Sequence, residues 1–113
     1  MLKGLIISVK DLFDVKGYKT RGGSKFLDPE ICLKDAECIS LIRTAGGLLI
    51  GHTNMTELAY SGLGINPHYG TPLNPIYKGA IPGGSTSGGA VSISLNISDI
   101  TIGTDTGGST RIP

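Results

Sequence analysis

Two short glycine-serine turns are the features of this sequence best suited to chemistry. The first spans Gly83–Gly89 and places Ser85 directly after two glycines, and the second spans Gly103–Ser109 and does the same with Ser109. Glycines ahead of a serine let the chain turn sharply and leave backbone N–H groups free to point at one place. Donors arranged in this way stabilise the oxyanion of an acyl-transfer reaction. The pattern therefore indicates a serine nucleophile beside an oxyanion hole.

A serine nucleophile needs a base within hydrogen-bond reach. The only histidines are His52 and His68; neither lies in a cleft-like context, and His52 occupies an ordinary strand-end position. Lys10 ends an apolar run, and α/β folds place their sites at the carboxyl ends of strands. Burial lowers the pKa of a lysine and so allows it to accept a proton. We predict Lys10 as the base; a solvated lysine at a strand end is the alternative.

The glycine-rich turns also have simpler interpretations. Both turns are compatible with flexible loops that carry no function. They are also compatible with a phosphate cradle, although neither ends in the Gly-Lys-Ser/Thr of a P-loop. From the residues alone these alternatives stay open.

The elements that must position these groups follow from periodicity. Short apolar runs predict three strands, and a stripe of Cys38, Leu41, Ile42 and Ala45 at i, i+3, i+4 and i+7 predicts a helix with Asp35 as N-cap. The predicted strands are Leu5–Val9, Leu48–Ile50 and Ile100–Ile102, which we expect to be buried on both faces, and the predicted helix is Asp35–Ala45. This order indicates an α/β fold.

Two shorter helices are predicted further along the chain. Asn54 and Glu57 resemble a capping box and predict a helix over Met55–Ala59, and a second helix is predicted over Ala90–Leu95. Between them, residues 60–84 contain four prolines and no clear period. A loop of this length is usually functional when it is real.

Composition excludes several classes of partner. The chain has 113 residues, of which 18 are glycines. Its net charge is only +1, so no electrostatic attraction favours binding to nucleic acid or to an anionic membrane. No apolar stretch is long enough to span a bilayer. Cys32 and Cys38 have no further ligands at zinc spacing, so we expect no metal site. We expect both cysteines to be reduced thiols, which indicates a cytoplasmic protein; a disulfide between them is the alternative.

Four ordered blocks give the sequence a family resemblance. Residues 83–89 (GGSTSGG) and 103–113 (GTDTGGSTRIP) resemble the amidase signature, with the two serines at the family's spacing. Residues 9–17 resemble its lysine segment, and residues 50–55 resemble the strand-to-helix segment between them. The resemblance covers nearly the whole chain and implies part of the amidase signature fold, a mixed β-sheet covered by helices.

The resemblance implies a Ser–cis-Ser–Lys triad that hydrolyses amides through an acyl-serine. Ser109 would attack the carbonyl, Ser85 would relay its proton to Lys10, and the Gly84–Ser85 peptide would be cis. The remaining expected site residues are the backbone N–H groups of Thr106, Gly107, Gly108 and Ser109 as oxyanion hole, with Thr86, Ser87, Asp105 and Arg111 as supporting groups. Asp105 and Arg111 are expected to pin the turn, with a direct chemical role as the alternative. Thr86 and Ser87 are expected either to bond around Ser85 and Lys10 or to cap a helix.

The resemblance further implies a small linear carboxamide as substrate and no cofactor. Members of the family are several times longer, so we expect residues 1–113 to form a single partial domain, partly folded and weakly active or inactive alone. Two alternatives are the A-type component of a glutamyl-tRNA amidotransferase and an inactive truncated remnant. Residues 58–68 are more similar to the stand-alone amidases, and the same chemistry would also accept esters.

Overall fold

A three-stranded parallel sheet organises the chain, which the computed structural model describes from Met1 to Pro113. The strands are β1 (Ile6–Lys10), β2 (Leu48–Thr53) and β3 (Ile100–Ile102), in the order β2-β1-β3. The α/β class is confirmed. All three strands run parallel, and the single antiparallel pairing is an isolated bridge between Lys19 and Ile31.

The predicted strands lie within a few residues of the observed ones, because each is an apolar run bounded by turns. Their burial differs from the expectation. Only the central strand β1 is enclosed, with Ile7 and Val9 almost fully buried, whereas on β2 Leu48 and Ile50 are half exposed. An edge strand is covered only where another element packs on it, so the expectation of three doubly buried strands is wrong for the two edge strands: β2 is largely exposed and β3 is only partly buried.

The first helix, α1, spans Glu37–Thr44 and packs against the sheet beside β1. Its fully buried residue is Ile39, while Leu41 of the predicted stripe is 63% exposed. Asp35 is not the N-cap, because its carboxylate instead accepts hydrogen bonds from the Lys16 backbone N–H at 2.7 Å and from Arg43 Nε at 2.9 Å. Asp35 therefore links the helix to the loop after β1.

The second helix, α2, spans Ser87–Ser94 and begins three residues earlier than predicted. Glycine disfavours helix interiors, but here it permits close packing. A Cβ added to Gly88 would collide with the backbone of Asn54, and one added to Gly89 would collide with Thr101. Tertiary packing therefore outweighs the low helix propensity of these glycines.

The segment after β2 forms a 3-10 turn over Glu57–Ala59 in place of the predicted helix. No capping box forms, because the Glu57 carboxylate accepts from Ser24 Oγ at 2.7 Å and lies 2.9 Å from His68 Nε2. The long loop that follows is anchored by the buried Asn66, whose side chain donates to two backbone carbonyls. None of the helices is long and apolar enough to cross a membrane.

Candidate active site

Lys10 and Ser85 meet at the carboxyl end of the central strand. Lys10 is the last residue of β1, and its side chain is completely buried. Its Nζ donates to Ser85 Oγ at 2.7 Å, and Ser85 is also fully buried. The Gly84–Ser85 peptide is cis, as the resemblance implies. The solvated-lysine interpretation is therefore wrong, because this amine is enclosed and held on a serine hydroxyl.

The enclosure changes the proton affinity of Lys10. Burial lowers the pKa of Lys10 from 10.5 to about 8, although the nearby negative charge of Asp105 acts in the opposite direction. At a pH about one unit below this pKa, the Lys10 amine is therefore neutral in about a tenth of the molecules. A neutral amine has the lone pair that a base requires.

Thr104 is a site residue that sequence analysis missed. Its Oγ1 accepts a second hydrogen bond from Lys10 Nζ, at 2.8 Å. When Lys10 is neutral it has two N–H groups and one lone pair, and an N–H held by Thr104 leaves the lone pair able to accept the Ser85 proton. The only signal in the sequence was a hydroxyl residue two positions after β3, which no spacing rule singles out.

Asp105 holds the turn that carries Ser109. Its carboxylate accepts from the backbone N–H groups of Gly108 and Thr110, both at 3.0 Å, and pairs with Arg111 Nη2 at 2.8 Å. These hydrogen bonds keep the pKa of Asp105 well below its usual range. Asp105 and Arg111 thus make the turn-pinning contacts that the sequence suggested, at the second glycine-serine turn.

The same turn leaves several backbone donors unused. The N–H groups of Thr106, Gly107 and Ser109 donate to no protein acceptor, whereas that of Gly108 is taken by Asp105. Three of the four predicted oxyanion donors are therefore free. The Gly108 N–H is a correction to the predicted set, because its proton already points at a carboxylate.

Ser109 reaches the Ser85 loop through its main chain. The Thr86 N–H donates to the Ser109 carbonyl oxygen at 3.2 Å, which fixes the two glycine-serine turns against each other. The predicted hydroxyl contacts of Thr86 and Ser87 do not form: both hydroxyls are buried without a partner, and Thr86 as N-cap of α2 makes no side-chain cap.

An open cleft of about 350 Å³ adjoins Ser109. The cleft is lined by the turn that carries the free N–H groups and by residues 59–62 of the segment after β2. The lining residues are Ala59, Tyr60, Ser61, Gly62, Thr104, Thr106, Gly107, Ser109 and Ile112. A small substrate entering this cleft would meet the Ser109 turn directly.

Neither histidine belongs to this cleft. His52 Nε2 lies 2.9 Å from the Phe13 carbonyl oxygen, and His68 is occupied by Glu57. No three side chains of His, Cys, Asp or Glu gather closely enough to hold a metal ion.

The carboxyl end of the parallel sheet thus brings a buried lysine onto a serine hydroxyl, next to a turn that carries a second serine and three free backbone N–H groups. The family model described as Amidase matches residues 1–113, and the chain belongs to this family.

Individual relatives agree with the family. Amidase 1 of Arabidopsis thaliana is 45% identical over 99% of this chain and 27% of its own length. The A-type component of the glutamyl-tRNA(Gln) amidotransferase of Methanococcus maripaludis is 43% identical over 99% of this chain and 26% of its own length. A solved protein complex related to the origins of an s-triazine catabolic enzyme contains a chain with a TM-score of 0.95 and 39% identity, covering 100% of this chain and 25% of that chain. The chain thus spans about a quarter of the length of the curated relatives it matches.

Proposed function

We propose that this protein hydrolyses an amide bond with Ser109 as nucleophile, Ser85 as proton relay and Lys10 as base. Neutral Lys10 accepts the Ser85 proton while Ser85 accepts the Ser109 proton, and Ser109 Oγ bonds to the amide carbon. The tetrahedral oxyanion collapses as the C–N bond breaks, and the proton returns through Ser85 to the leaving amine. Water then attacks the acyl-Ser109 by the same proton route and releases the acid.

The observation that carries the proposal is the buried Lys10 amine on the Ser85 hydroxyl. Burying an amine without a carboxylate in contact is costly, and the cost falls when the amine is neutral. At about 8, the Lys10 pKa is close enough to neutral pH for the amine to act as a base and then as an acid. A lysine kept only for stability gains nothing from this arrangement.

The oxyanion donors support the same chemistry. The free N–H groups of Thr106, Gly107 and Ser109 lie on the same turn as the proposed nucleophile, and the Asp105 carboxylate bonds to that turn. Pre-positioned donors stabilise developing charge without reorganising during the reaction; one such donor typically contributes about 10²–10³ in rate.

A fluorophosphonate probe tests the proposal on the 113-residue chain. Ser109 Oγ would displace fluoride and gain one phosphonyl group, which intact mass measures. We expect one adduct on the parent and none on Ser109→Ala, while Ser61→Ala, a serine change in the same cleft, keeps the adduct. A folded parent that gains no adduct, or a Ser109→Ala chain that still gains one, would contradict the proposal; the first outcome would favour an inactive remnant.

The substrate belongs to the proposal as well. We propose a small linear carboxamide, because the cleft is open and of modest volume. An ester would enter the same acyl-serine route, and comparing matched amides and esters distinguishes the two. The free thiols of Cys32 and Cys38 support the proposal of a cytoplasmic protein.

A second candidate is the A-type component of an amidotransferase, favoured by the 43% identity to the Methanococcus maripaludis protein. In that case glutamine would be the amide substrate, and ammonia release would depend on partner proteins. Turnover of simple carboxamides by the chain without partners would decide for the amidase.

A further inference from the structure

Three serine hydroxyls form a closed triangle beneath helix α2. Ser98 Oγ donates to Ser8 Oγ at 3.1 Å, Ser8 and Ser92 Oγ lie 3.0 Å apart, and Ser92 and Ser98 Oγ lie 2.8 Å apart. All three residues are at least nine-tenths buried. We call Ser8, Ser92 and Ser98 the hydroxyl triangle.

The direction of its hydrogen bonds is fixed. Ser92 Oγ donates its only proton to the Gly89 carbonyl oxygen at 2.7 Å, so Ser8 must be the donor in the Ser8–Ser92 contact. Ser92 therefore accepts from both Ser8 and Ser98, and the single Ser98 proton is shared between Ser92 at 2.8 Å and Ser8 at 3.1 Å. This network joins three separate segments at one place and restricts their relative positions.

Each member of the hydroxyl triangle belongs to a segment that carries a proposed catalytic group. Ser8 precedes Lys10 by two residues on β1, and side chains two apart in a strand point to the same face. Ser92 is on α2, which begins just after Ser85. Ser98 lies just before β3, which leads directly to Thr104 and the Ser109 turn.

We propose that the hydroxyl triangle is a positioning device for the catalytic groups: it sets β1, α2 and the start of β3 against one another so that Lys10 meets Ser85 and Thr104. This inference rests on the proposed function. Its members touch no substrate and act only through Lys10. Apolar contacts at the same place would hold the layers together but would tolerate small slides, because such contacts are not directional.

The test uses the full chain with Ser92→Ala and Ser98→Ala, which open the triangle from two segments. Ser94→Ala is the matched control, because Ser94 is on the same helix but is exposed. Ser92→Thr is the rescue variant, because it keeps the hydroxyl. Two quantities are measured well below the melting temperature: the titration midpoint of Lys10 by ¹³C NMR of its side chain, and the pH dependence of Ser109 labelling by the fluorophosphonate.

We expect both triangle variants to move the Lys10 midpoint upward, toward that of an ordinary lysine, because a loosened contact admits water and favours the charged amine. Labelling at neutral pH slows about tenfold in each, since small misplacements of catalytic groups are costly. Ser94→Ala and Ser92→Thr keep the parental midpoint and rate. Ser98→Ala lies in a loop, so it keeps the test valid if the helix variant unfolds.

The two ways of failing are distinct. If the triangle variants lose thermal stability but keep the Lys10 midpoint and labelling rate, the triangle is only a satisfied polar core and the positioning inference is overturned. If the parent takes no label, the proposed function fails, while the NMR titration still decides whether the triangle positions Lys10.

Discussion

Raising the pH should accelerate the reaction of Ser109 with a fluorophosphonate, in proportion to the fraction of neutral Lys10. With a Lys10 pKa of about 8, roughly 9% of the amine is neutral at pH 7 and half is neutral at the pKa. For an ordinary lysine with a pKa of 10.5, the neutral fraction at pH 7 would be about three-hundredfold smaller. The rate should therefore rise about tenfold per pH unit and level off above a midpoint near 8.

The assay is intact-mass labelling of the 113-residue chain from about pH 6 to about pH 10, at a probe concentration that keeps the reaction first order. Lys10→Met is the control, and its residual labelling should lose the midpoint near 8. A rate that keeps rising above about pH 10 would refute the reasoning, because Lys10 would then be an ordinary solvated amine. A midpoint near about 6.5 would also refute it, because that value would assign the base to a histidine.

The lowered pKa of Lys10 also makes folding stability depend on pH. Because the pKa of Lys10 is lowered on folding, the unfolded chain binds more protons between about pH 8 and pH 10.5. The contribution of Lys10 to folding stability therefore rises with pH across that window, and below it the full penalty of a buried charge remains. The free energy of unfolding of the parent, minus that of Lys10→Met, should therefore increase as the pH is raised from about 8 to 10.5, as measured by urea denaturation.

Two further predictions concern neighbouring contacts. Thr104→Val should slow fluorophosphonate labelling about tenfold at neutral pH, because it removes the second hydrogen-bond acceptor of Lys10. Thr104→Ser keeps the hydroxyl and should label like the parent. Equal labelling rates for the parent and both variants would show that the contact does not affect the reaction. Gly64→Ala should destabilise the fold by at least about 2 kcal/mol more than Gly70→Ala in urea denaturation. Both glycines have positive φ, but an added Cβ collides with the Gly83 carbonyl oxygen only at Gly64, so equal losses would show that this close approach is unimportant.

Much of the fold was predictable because its signals are local. Strand β3 was placed at its observed residues and β1 within one residue at each end, since each is a short β-branched run closed by turns. Lys10 followed from its place at a strand end. The pairing of Lys10 with Ser85 was predicted from the resemblance, and nothing in the spacing of two residues 75 positions apart would give it alone.

The failures came from side chains whose partners are distant in sequence. Asp35 and Glu57 both fit local capping patterns, but each is used by residues from another segment, Asp35 by Lys16 and Glu57 by Ser24 and His68. A local rule describes what a side chain can do with its own helix. It cannot describe a stronger competing donor that tertiary folding brings close.

Thr104 and the early start of α2 show the same limit at the site. Thr104 is a small hydroxyl residue in a turn, and its role depends on the enclosed Lys10 amine pointing toward it. The helix includes Gly88 and Gly89, which propensity alone would exclude, because only glycine fits against the neighbouring backbone and β3. Both features depend on how closely separate segments approach, and that information is not local.

The central position of β1 has a consequence for the order of events during synthesis. β1 is synthesised well before β3, yet the Ile6 N–H donates to the Asp99 side chain, 93 residues later, and β3 pairs along the same edge. A nascent chain must keep the apolar β1 and its lysine available until nearly all of the residues described here have been made. Pairing across such long separations is slow, so the apolar β1 lacks its β3 partner, and its strand edge is open to aggregation, until β3 has been made.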